Sequence, residues 1–464
     1  MIDFKGIEGF YFVGIGGIGM SALALYFRKG EYTIAGYDRT SGRITDNLAA
    51  EGCEISFKDE TQSIPSLFSE IKNQHKVIIV YTPAIPSESR ILNFFRDNGY
   101  RLYKRSEILG EISSRTDTIA VAGTHGKTTV STMTAFLLNQ SHVGCSAFLG
   151  GISKNYDSNL LIGKGSYTVM EADEYDRSFH RLSPLMAVVT SVDADHLDIY
   201  GDHQTMIAAY NEFCGKIRAG GTLLINSRIL NNIICPPEVQ FLTYGTDPEA
   251  DFRYFDIEHK DDFYTFSIKT PCGIINDLHF PFPGIINIEN MTAAVAIALN
   301  CGVTADEIRK EIIHFQGVRR RFDIRINLPG IAYVDDYAHH PEEIRACVIS
   351  LREYFRGRKI TGIFQPHLFS RTLDHADGFA AILDELDEVI LLPIYPAREK
   401  PIPGVTSELI LEKMKLRRKK IIPMNDLPDK LDIKELDVLA TIGAGDIDRL
   451  VEPIEEMIKR EAGR

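Results

Sequence analysis

An α/β fold with parallel sheets divided among three domains is predicted by three observations. Short apolar runs recur along the chain, each ends in a glycine-rich, acidic or histidine-bearing loop, and helix-patterned stretches follow those loops. A length of 464 residues suits about three domains of ordinary size. The expected division is an N-terminal Rossmann-like domain (1–107), a central P-loop domain (108–323) and a C-terminal Rossmann-like domain (324–464).

The first unit opens with the apolar run Phe10–Val13, the loop Gly14-Ile15-Gly16-Gly17-Ile18-Gly19-Met20-Ser21, and a helical stretch through Phe27. This is a complete G-x-G-x-x-G. A second strand, Tyr32–Tyr37, ends in Asp38, where a carboxylate commonly meets a ribose hydroxyl. The segment by itself fits NAD, but the backbone of such a loop recognises a pyrophosphate and not nicotinamide, so another nucleotide diphosphate fits equally. A further strand, Val77–Tyr81, runs into Thr82-Pro83-Ala84-Ile85-Pro86. The carboxyl end of such a strand is a ligand position in open α/β sheets, and a proline-ordered turn is the plainer reading.

The central unit carries Gly123-Thr124-His125-Gly126-Lys127-Thr128-Thr129 after the apolar run Ile119–Ala122. Glycines let backbone N–H groups converge on phosphate oxygens, the helix end adds a positive dipole, Lys127 supplies charge and the Thr128 hydroxyl can ligate Mg²⁺; the loop predicts ATP. Only two residues separate its glycines, fewer than in a standard Walker loop. Val130, Met133, Leu137 and Leu138 share a helical face, predicting an amphipathic helix. Downstream, Tyr167–Met170 leads into Glu171-Ala172-Asp173-Glu174, and Ala187–Thr190 into Asp193, Asp195, His196 and Asp198. Oxygen ligands with one imidazole suit Mg²⁺ or Mn²⁺, with Thr128, Glu171 and His196 as the candidate metal ligands.

The third unit begins beyond Arg319-Arg320-Arg321-Phe322-Asp323, whose arginines are placed to reach ATP phosphates or to form a solvated patch. Strand Ile331–Val334 ends in Asp335-Asp336-Tyr337-Ala338-His339-His340-Pro341, and Ile360–Phe364 ends in Gln365-Pro366-His367-Leu368-Phe369-Ser370-Arg371. A proton-accepting His near a carboxylate-binding Arg fits an amino acid as second substrate, carried on a lid over the ATP site.

Composition excludes other classes. With 51 basic and 64 acidic residues the formal charge is −13, which argues against a nucleic-acid or anionic-membrane binder. Seven scattered cysteines without a C-x-x-C pair read as reduced thiols of a cytoplasmic protein. No apolar run approaches a membrane span, and the N-terminus lacks a signal pattern. A monomer or weak homodimer acting on small molecules is expected. The basic cluster Arg417–Lys420 follows a helix-like segment and is expected to compensate its dipole.

GIGGIGMS (14–21), GTHGKTT (123–129), EADEYDRSF (171–179), DADHLD (193–198), GVRRRFD (317–323), DDYAHHPEEI (335–344), FQPHLFSRT (364–372), PIPGVTS (401–407) and GAGDI (443–447) together resemble the Mur ligases over nearly the whole chain. The resemblance implies ATP-driven amide synthesis in peptidoglycan precursor assembly, in the branch that adds L-alanine to UDP-N-acetylmuramate through an acyl phosphate. On it, Gly14, Gly16, Gly17, Ile18, Gly19, Met20, Ser21, Asp38, Thr82, Ala84 and His125 are expected at the UDP-sugar. Gly123 to Thr129, Asn287, Arg320 and Asp336 are expected at ATP, and Tyr337, His339, His367 and Arg371 at alanine. Lys127, Glu171, His196, His339 and Arg371 are the implied catalytic set.

Related ligases that add later amino acids carry a carbamylated lysine where this chain has Tyr210 and Asn211, which agrees with the alanine branch. Leu368 stands where that branch often has Arg, Ile286 replaces a common His before Asn287, and Arg398 a common Gly before Glu399. A ligase that recycles a ready-made tripeptide onto the same sugar nucleotide is the nearest alternative. An NAD-dependent oxidoreductase would leave the GKT loop idle, and a P-loop switch or motor would leave both flanks unexplained.

Overall fold

The computed structural model describes residues 2–194, 197–260, 263–397 and 399–463. Among these the strands form three sheets, and the chain divides into two compact units: 1–280 with 289–316, and 281–288 with 317–464.

The first sheet comprises β1 (Gly9–Val13), β2 (Thr33–Tyr37), β3 (Glu54–Ser56), β4 (Val77–Tyr81) and β5 (Leu102–Lys104). All its pairs are parallel, in the order β3-β2-β1-β4-β5. Side chains alternate across β1 as a strand requires. Phe10 and Phe12 enter one apolar cluster with Leu23 and Phe27 of helix Ile18–Lys29, whereas Tyr11 and Val13 enter another with Phe68, Ile79 and Phe95. The first cluster continues through Phe148, Leu160 and Met170 of the second sheet, so both sheets belong to one compact unit.

The second sheet is built from β6 (Asp117–Ala122), β7 (Cys145–Ser153), β8 (Ser158–Leu161), β9 (Tyr167–Glu171), β10 (Met186–Val189), β11 (Thr222–Asn226), β12 (Gln240–Gly245), β13 (Phe252–Lys260), β14 (Phe263–Thr270) and β15 (Gly273–Phe280). Its order is β15-β14-β13-β12-β11-β10-β6-β9-β7-β8. The central pairs are parallel, but β7–β8, β13–β14 and β14–β15 are antiparallel, a mixed edge that the parallel expectation did not contain. Helix Lys127–Gln140 follows β6. Every residue from Thr128 to Leu138 is buried, so it is not the amphipathic helix that its apolar spacing predicts. Ser131 and Thr132 satisfy their buried hydroxyls by donating to the Thr128 carbonyl at 3.1 and 2.7 Å.

The second unit holds β16 (Asp323–Leu328), β17 (Ile331–Asp336), β18 (Ile360–Phe364), β19 (Glu388–Leu391), β20 (Lys419–Ile421) and β21 (Val438–Ile442), ordered β16-β17-β21-β18-β19-β20. Only β16 is antiparallel. Helix Pro341–Tyr354 starts on Pro341, whose fixed φ suits a first helical position. Part of the Arg417–Lys420 cluster lies on edge strand β20. There Lys419 Nζ donates to the carbonyls of Leu411 and Met414 at the end of helix Glu408–Lys413, which is the dipole compensation expected of it.

Candidate active site

β1 hands the chain to Gly14, whose φ of +91° is a glycine conformation. A Cβ there would sit 3.1 Å from both Ile85 Cδ1 and Thr82 Cγ2. The turn after β4 therefore packs on the glycine loop where the strand order reverses about β1, the ligand crevice of such sheets. Thr82 reaches the loop, while Ala84 is exposed. Asp38, expected at the nucleotide ribose, here accepts the Gly16 N–H at 2.8 Å through Oδ2 and the Thr40 N–H at 3.3 Å through Oδ1, and so braces the glycine loop. Helix Ile18–Lys29 begins without a side-chain cap and without an acid in its first turn, which suits phosphate at that end.

The second loop is strapped by the end of β10. Gly123 (φ +134°) and Gly126 (φ +83°) turn it, and a Cβ on Gly123 would fall 2.0 Å from Thr190 Oγ1. Ser191 Oγ accepts the His125 N–H at 2.9 Å and lies 2.8 Å from Thr124 Oγ1, and the Asp193 N–H donates to Thr124 Oγ1 at 3.1 Å. The Thr190 hydroxyl donates to the His125 carbonyl. His125 Nε2 lies 3.7 Å from Asp193 Oδ2. Asn290 Oδ1 would lie 2.9 Å from a Cβ on Gly126, closing the other side of the loop. Thr128 and Thr129 are buried in the first helical turn.

Lys127 Nζ donates to the Gly123 carbonyl at 2.6 Å, to the Thr124 carbonyl at 3.3 Å and to Glu174 Oε1 at 2.8 Å. Burial opposes its charge, but the carboxylates of Glu174, Asp173 and Glu171 outweigh burial and hold the ammonium above its ordinary range. Glu174 is 1% exposed, and burial pushes its carboxyl up to about 7 against the pull of Lys127. Both partners shift upward because the ammonium faces three acids, whereas the carboxyl faces one cation and a neighbouring acid.

Glu171 ends β9 beside β6, and its Oε2 is buried with no hydrogen-bond partner among the described residues. A Cβ on Gly150 would meet that oxygen at 2.0 Å, so a glycine in β7 makes room for the carboxylate. An orphaned carboxylate oxygen beside a phosphate loop fits a hard divalent cation. His196 and the adjoining Asp195 lie outside the described residues, as does Arg398. No cluster of three or more His, Cys, Asp or Glu side chains with metal-binding geometry occurs among the described residues.

In the second unit, Asp336 at the end of β17 accepts the N–H groups of Phe322 and Ala338, both at 2.7 Å, and burial raises its carboxyl to about 6. Arg320 (φ +61°) pairs with Asp335 at 3.2 Å and donates to the Gly443 carbonyl at 2.6 Å. Arg320 and Arg321 place their guanidinium carbons 5.2 and 5.1 Å from the Tyr337 ring centroid. His339 lies 5.7 Å, ring to ring, from His367, and its Nδ1 is 3.1 Å from the Tyr337 carbonyl and 3.2 Å from Glu343. Burial holds His339 below its ordinary range despite Glu343, with Arg371 adding to the effect. Leu368 takes φ +71° immediately before helix Phe369–Leu383, which carries Arg371. The Asn287 side chain donates to the Pro283 carbonyl.

Several contributors escaped the sequence reading. Gly150 had a signal, the Gly150-Gly151 pair inside a strand. Thr190, Ser191 and Asn290 had none, since they meet the loop from other elements. Gln365 was visible only as a member of a polar cluster. It accepts the Ile447 N–H at 2.9 Å and donates to Asp446 at 2.7 Å, binding the 443–447 turn to β18.

Two strand–glycine loop–helix turns in one compact unit, the second with a buried lysine and a carboxylate oxygen that has no hydrogen-bond partner among the described residues, fit a nucleotide-dependent α/β enzyme. The chain matches the "Mur ligase family, catalytic domain" over residues 9–116, the "Mur ligase middle domain" over 121–298 and the "Mur ligase, glutamate ligase domain" over 320–447. It is 47% identical over 452 residues to a UDP-N-acetylmuramate–L-alanine ligase of Porphyromonas gingivalis, covering 97% of this chain and 98% of that one. A protein of the same name from Cytophaga hutchinsonii is 43% identical over 463 residues, with 99% and 98% covered. The fold matches the crystal structure of UDP-N-acetylmuramate–alanine ligase from Thermotoga maritima with a TM-score of 0.81 at 24% identity, covering 97% and 99% of the two chains. It matches a murein peptide ligase from Psychrobacter arcticus with a TM-score of 0.71 at 20% identity, covering 97% and 98%. This chain belongs to the Mur ligase family and is an ATP-dependent ligase with its three-domain α/β fold.

Proposed function

We propose that this enzyme joins L-alanine to the lactyl carboxylate of UDP-N-acetylmuramate, converting ATP to ADP and phosphate, in peptidoglycan precursor synthesis. The observation that carries the reading is the name shared by relatives 43–47% identical over nearly the full length of this chain. The glycine loop supports it by offering an uncapped helix end to a diphosphate, and the second loop by offering a lysine to a triphosphate.

A lactyl carboxylate oxygen attacks the γ-phosphorus, the bond to the β-γ bridging oxygen breaks, and ADP leaves with that electron pair. Lys127 offsets charge on the transferred group by leaving Glu174 for the phosphate oxygens. Thr128, Glu171 and His196 would hold Mg²⁺ or Mn²⁺, which supplies further neutralisation of that charge. The alanine amine then attacks the acyl carbon, and phosphate departs with the former carboxylate oxygen. The attacking amine must be neutral, and a His339 kept neutral by its burial can accept its proton. Arg371 pairs with the alanine carboxylate, Tyr337 and His367 shape the pocket, and His125 faces the muramyl group and the phosphates. Asn287, Arg320 and Asp336 serve the nucleotide. The glycine-loop residues, Asp38, Thr82 and Ala84 serve the UDP-sugar.

Domain limits near 107 and 323, a cytoplasmic location and a monomer or weak homodimer complete the proposal. Among the described residues no helix is long and apolar enough to cross a membrane. The test supplies UDP-N-acetylmuramate with labelled carboxylate oxygens, ATP, and alanine, glycine, serine or a tripeptide. Label is expected in the released phosphate, with alanine preferred. Unlabelled phosphate would refute the acyl phosphate, and preference for the tripeptide would favour the recycling activity.

A further inference from the structure

Arg105 is a charge without a task in the reaction as described, and its position is electrostatically odd. It is the first residue of helix Arg105–Arg115, where the macrodipole disfavours a cation, and it accepts no capping role there. Its guanidinium lies over a second helix start. A Cβ on Gly19 would fall 2.2 Å from Arg105 Nη1 and 3.0 Å from Cζ. Gly19 is in the first turn of Ile18–Lys29, so two positive helix ends and one guanidinium converge. Arg105 thus lies against Gly19, while the acid Asp38 faces Gly16.

The counter-charge is weak. Arg105 Nη2 reaches Asp173 Oδ2 at 3.5 Å, and the two side chains are 25% and 40% exposed, an ion pair of little net worth. Asp173 lies two residues beyond Glu171, and Arg105, Glu171, Asp173 and Ser178 line one cleft. The arginine thus stands between the glycine loop and the acidic loop of the ATP site. A guanidinium over the start of one helix, held by a loose and partly exposed pair, can exchange that partner for an arriving anion.

We propose that Arg105 is the residue that reads the diphosphate of the sugar nucleotide, exchanging Asp173 for phosphate oxygens when the substrate binds. The inference rests on the proposed UDP-sugar site. A planar guanidinium suits this role because it can give parallel N–H bonds to two phosphate oxygens while its edge stays against Gly19.

The experiment measures, by calorimetry, the affinity of the ligand-free enzyme, Arg105→Met and Arg105→Lys for UDP-N-acetylmuramate, UDP, uridine and a non-hydrolysable ATP analogue. Arg105→Met keeps an unbranched apolar side chain in the cleft, and thermal midpoints report whether each variant folds. The expected result is a loss of about 10- to 100-fold for both diphosphates in Arg105→Met, the range for a hydrogen bond to a charged group. Arg105→Lys should recover part of it, while uridine and the ATP analogue bind as before. Equal losses for uridine and UDP would assign Arg105 a structural role, and unchanged UDP affinity would remove it from the site; either overturns the inference. Failure of the unmodified enzyme to bind UDP or its sugar would instead refute the UDP-sugar site itself.

Discussion

Replacing Glu174 with Gln should stabilise the ligand-free enzyme at alkaline pH, although it removes one half of a buried ion pair. The carboxyl is 1% exposed and is raised from an ordinary value of 4.5 to about 7. A carboxyl whose folded value is raised binds its proton more tightly when folded. Its contribution is therefore complete below about 4.5 and is lost as pH rises through about 7. At 1.36 kcal/mol per unit, the rise from pH 5 to pH 8 removes about 2 to 3 kcal/mol from the wild type. The amide introduced by Glu174→Gln keeps an oxygen for Lys127 Nζ, does not titrate, and resembles the protonated carboxyl. The two proteins should match near pH 5 and separate by about 2 to 3 kcal/mol at pH 8, in favour of Glu174→Gln. For a unit of this size that is roughly 3–5 °C in midpoint. Differential scanning calorimetry of both proteins without nucleotide, at several pH values, makes the measurement, and groups remote from the Lys127–Glu174 pair cancel in the difference. Parallel midpoint curves across pH 5–8 would refute the reasoning, and a wild type that gains on the variant above pH 7 would show that the ionised pair outweighs its desolvation.

Lys127→Ala should lower turnover by at least about 10³-fold, in keeping with loss of a phosphate-neutralising group, while UDP-N-acetylmuramate binds unchanged. Equal loss of both would contradict separate loops. Gly150→Ala places a Cβ 2.0 Å from Glu171 Oε2 and must displace that carboxylate. The Mg²⁺ concentration for half-maximal activity should rise at least about tenfold, and an unchanged metal titration would remove Glu171 from the metal site. Gln365→Leu breaks the bonds to Asp446 and the Ile447 N–H. It should destabilise the second unit by about 1–3 kcal/mol, read as a lower thermal midpoint, and no change would mean that the 443–447 turn holds itself.

Both glycine loops could be read in the sequence as strand-to-helix turns because such a turn is a local object. Its glycines, the preceding strand and the following helix supply its backbone geometry, so residues 14–21 and 123–129 announced their turns in order. The strands β4 and β18 were legible to the residue for the same reason, as buried parallel strands bounded by turns. Helix Lys127–Gln140 was legible as a helix but not as a fully buried one, because its polar residues are hydroxyls that bond back to their own helix. In the antiparallel edge β13–β15, the last strand was not legible, since its exposed and buried positions break regular alternation.

What the sequence by itself determined is the set of chemical parts: two glycine loops, a lysine, acids at strand ends, and histidines with an arginine in the last unit. Tertiary structure alone decided their partners. It set Thr190 and Ser191 against the second loop, Gly150 under Glu171, Glu174 on Lys127, and Arg105 over Gly19. The physical reason is range. Backbone conformation is set by neighbours in sequence, whereas the charge and hydrogen-bond state of a buried group depends on whatever the folded sheets bring within a few ångströms of it.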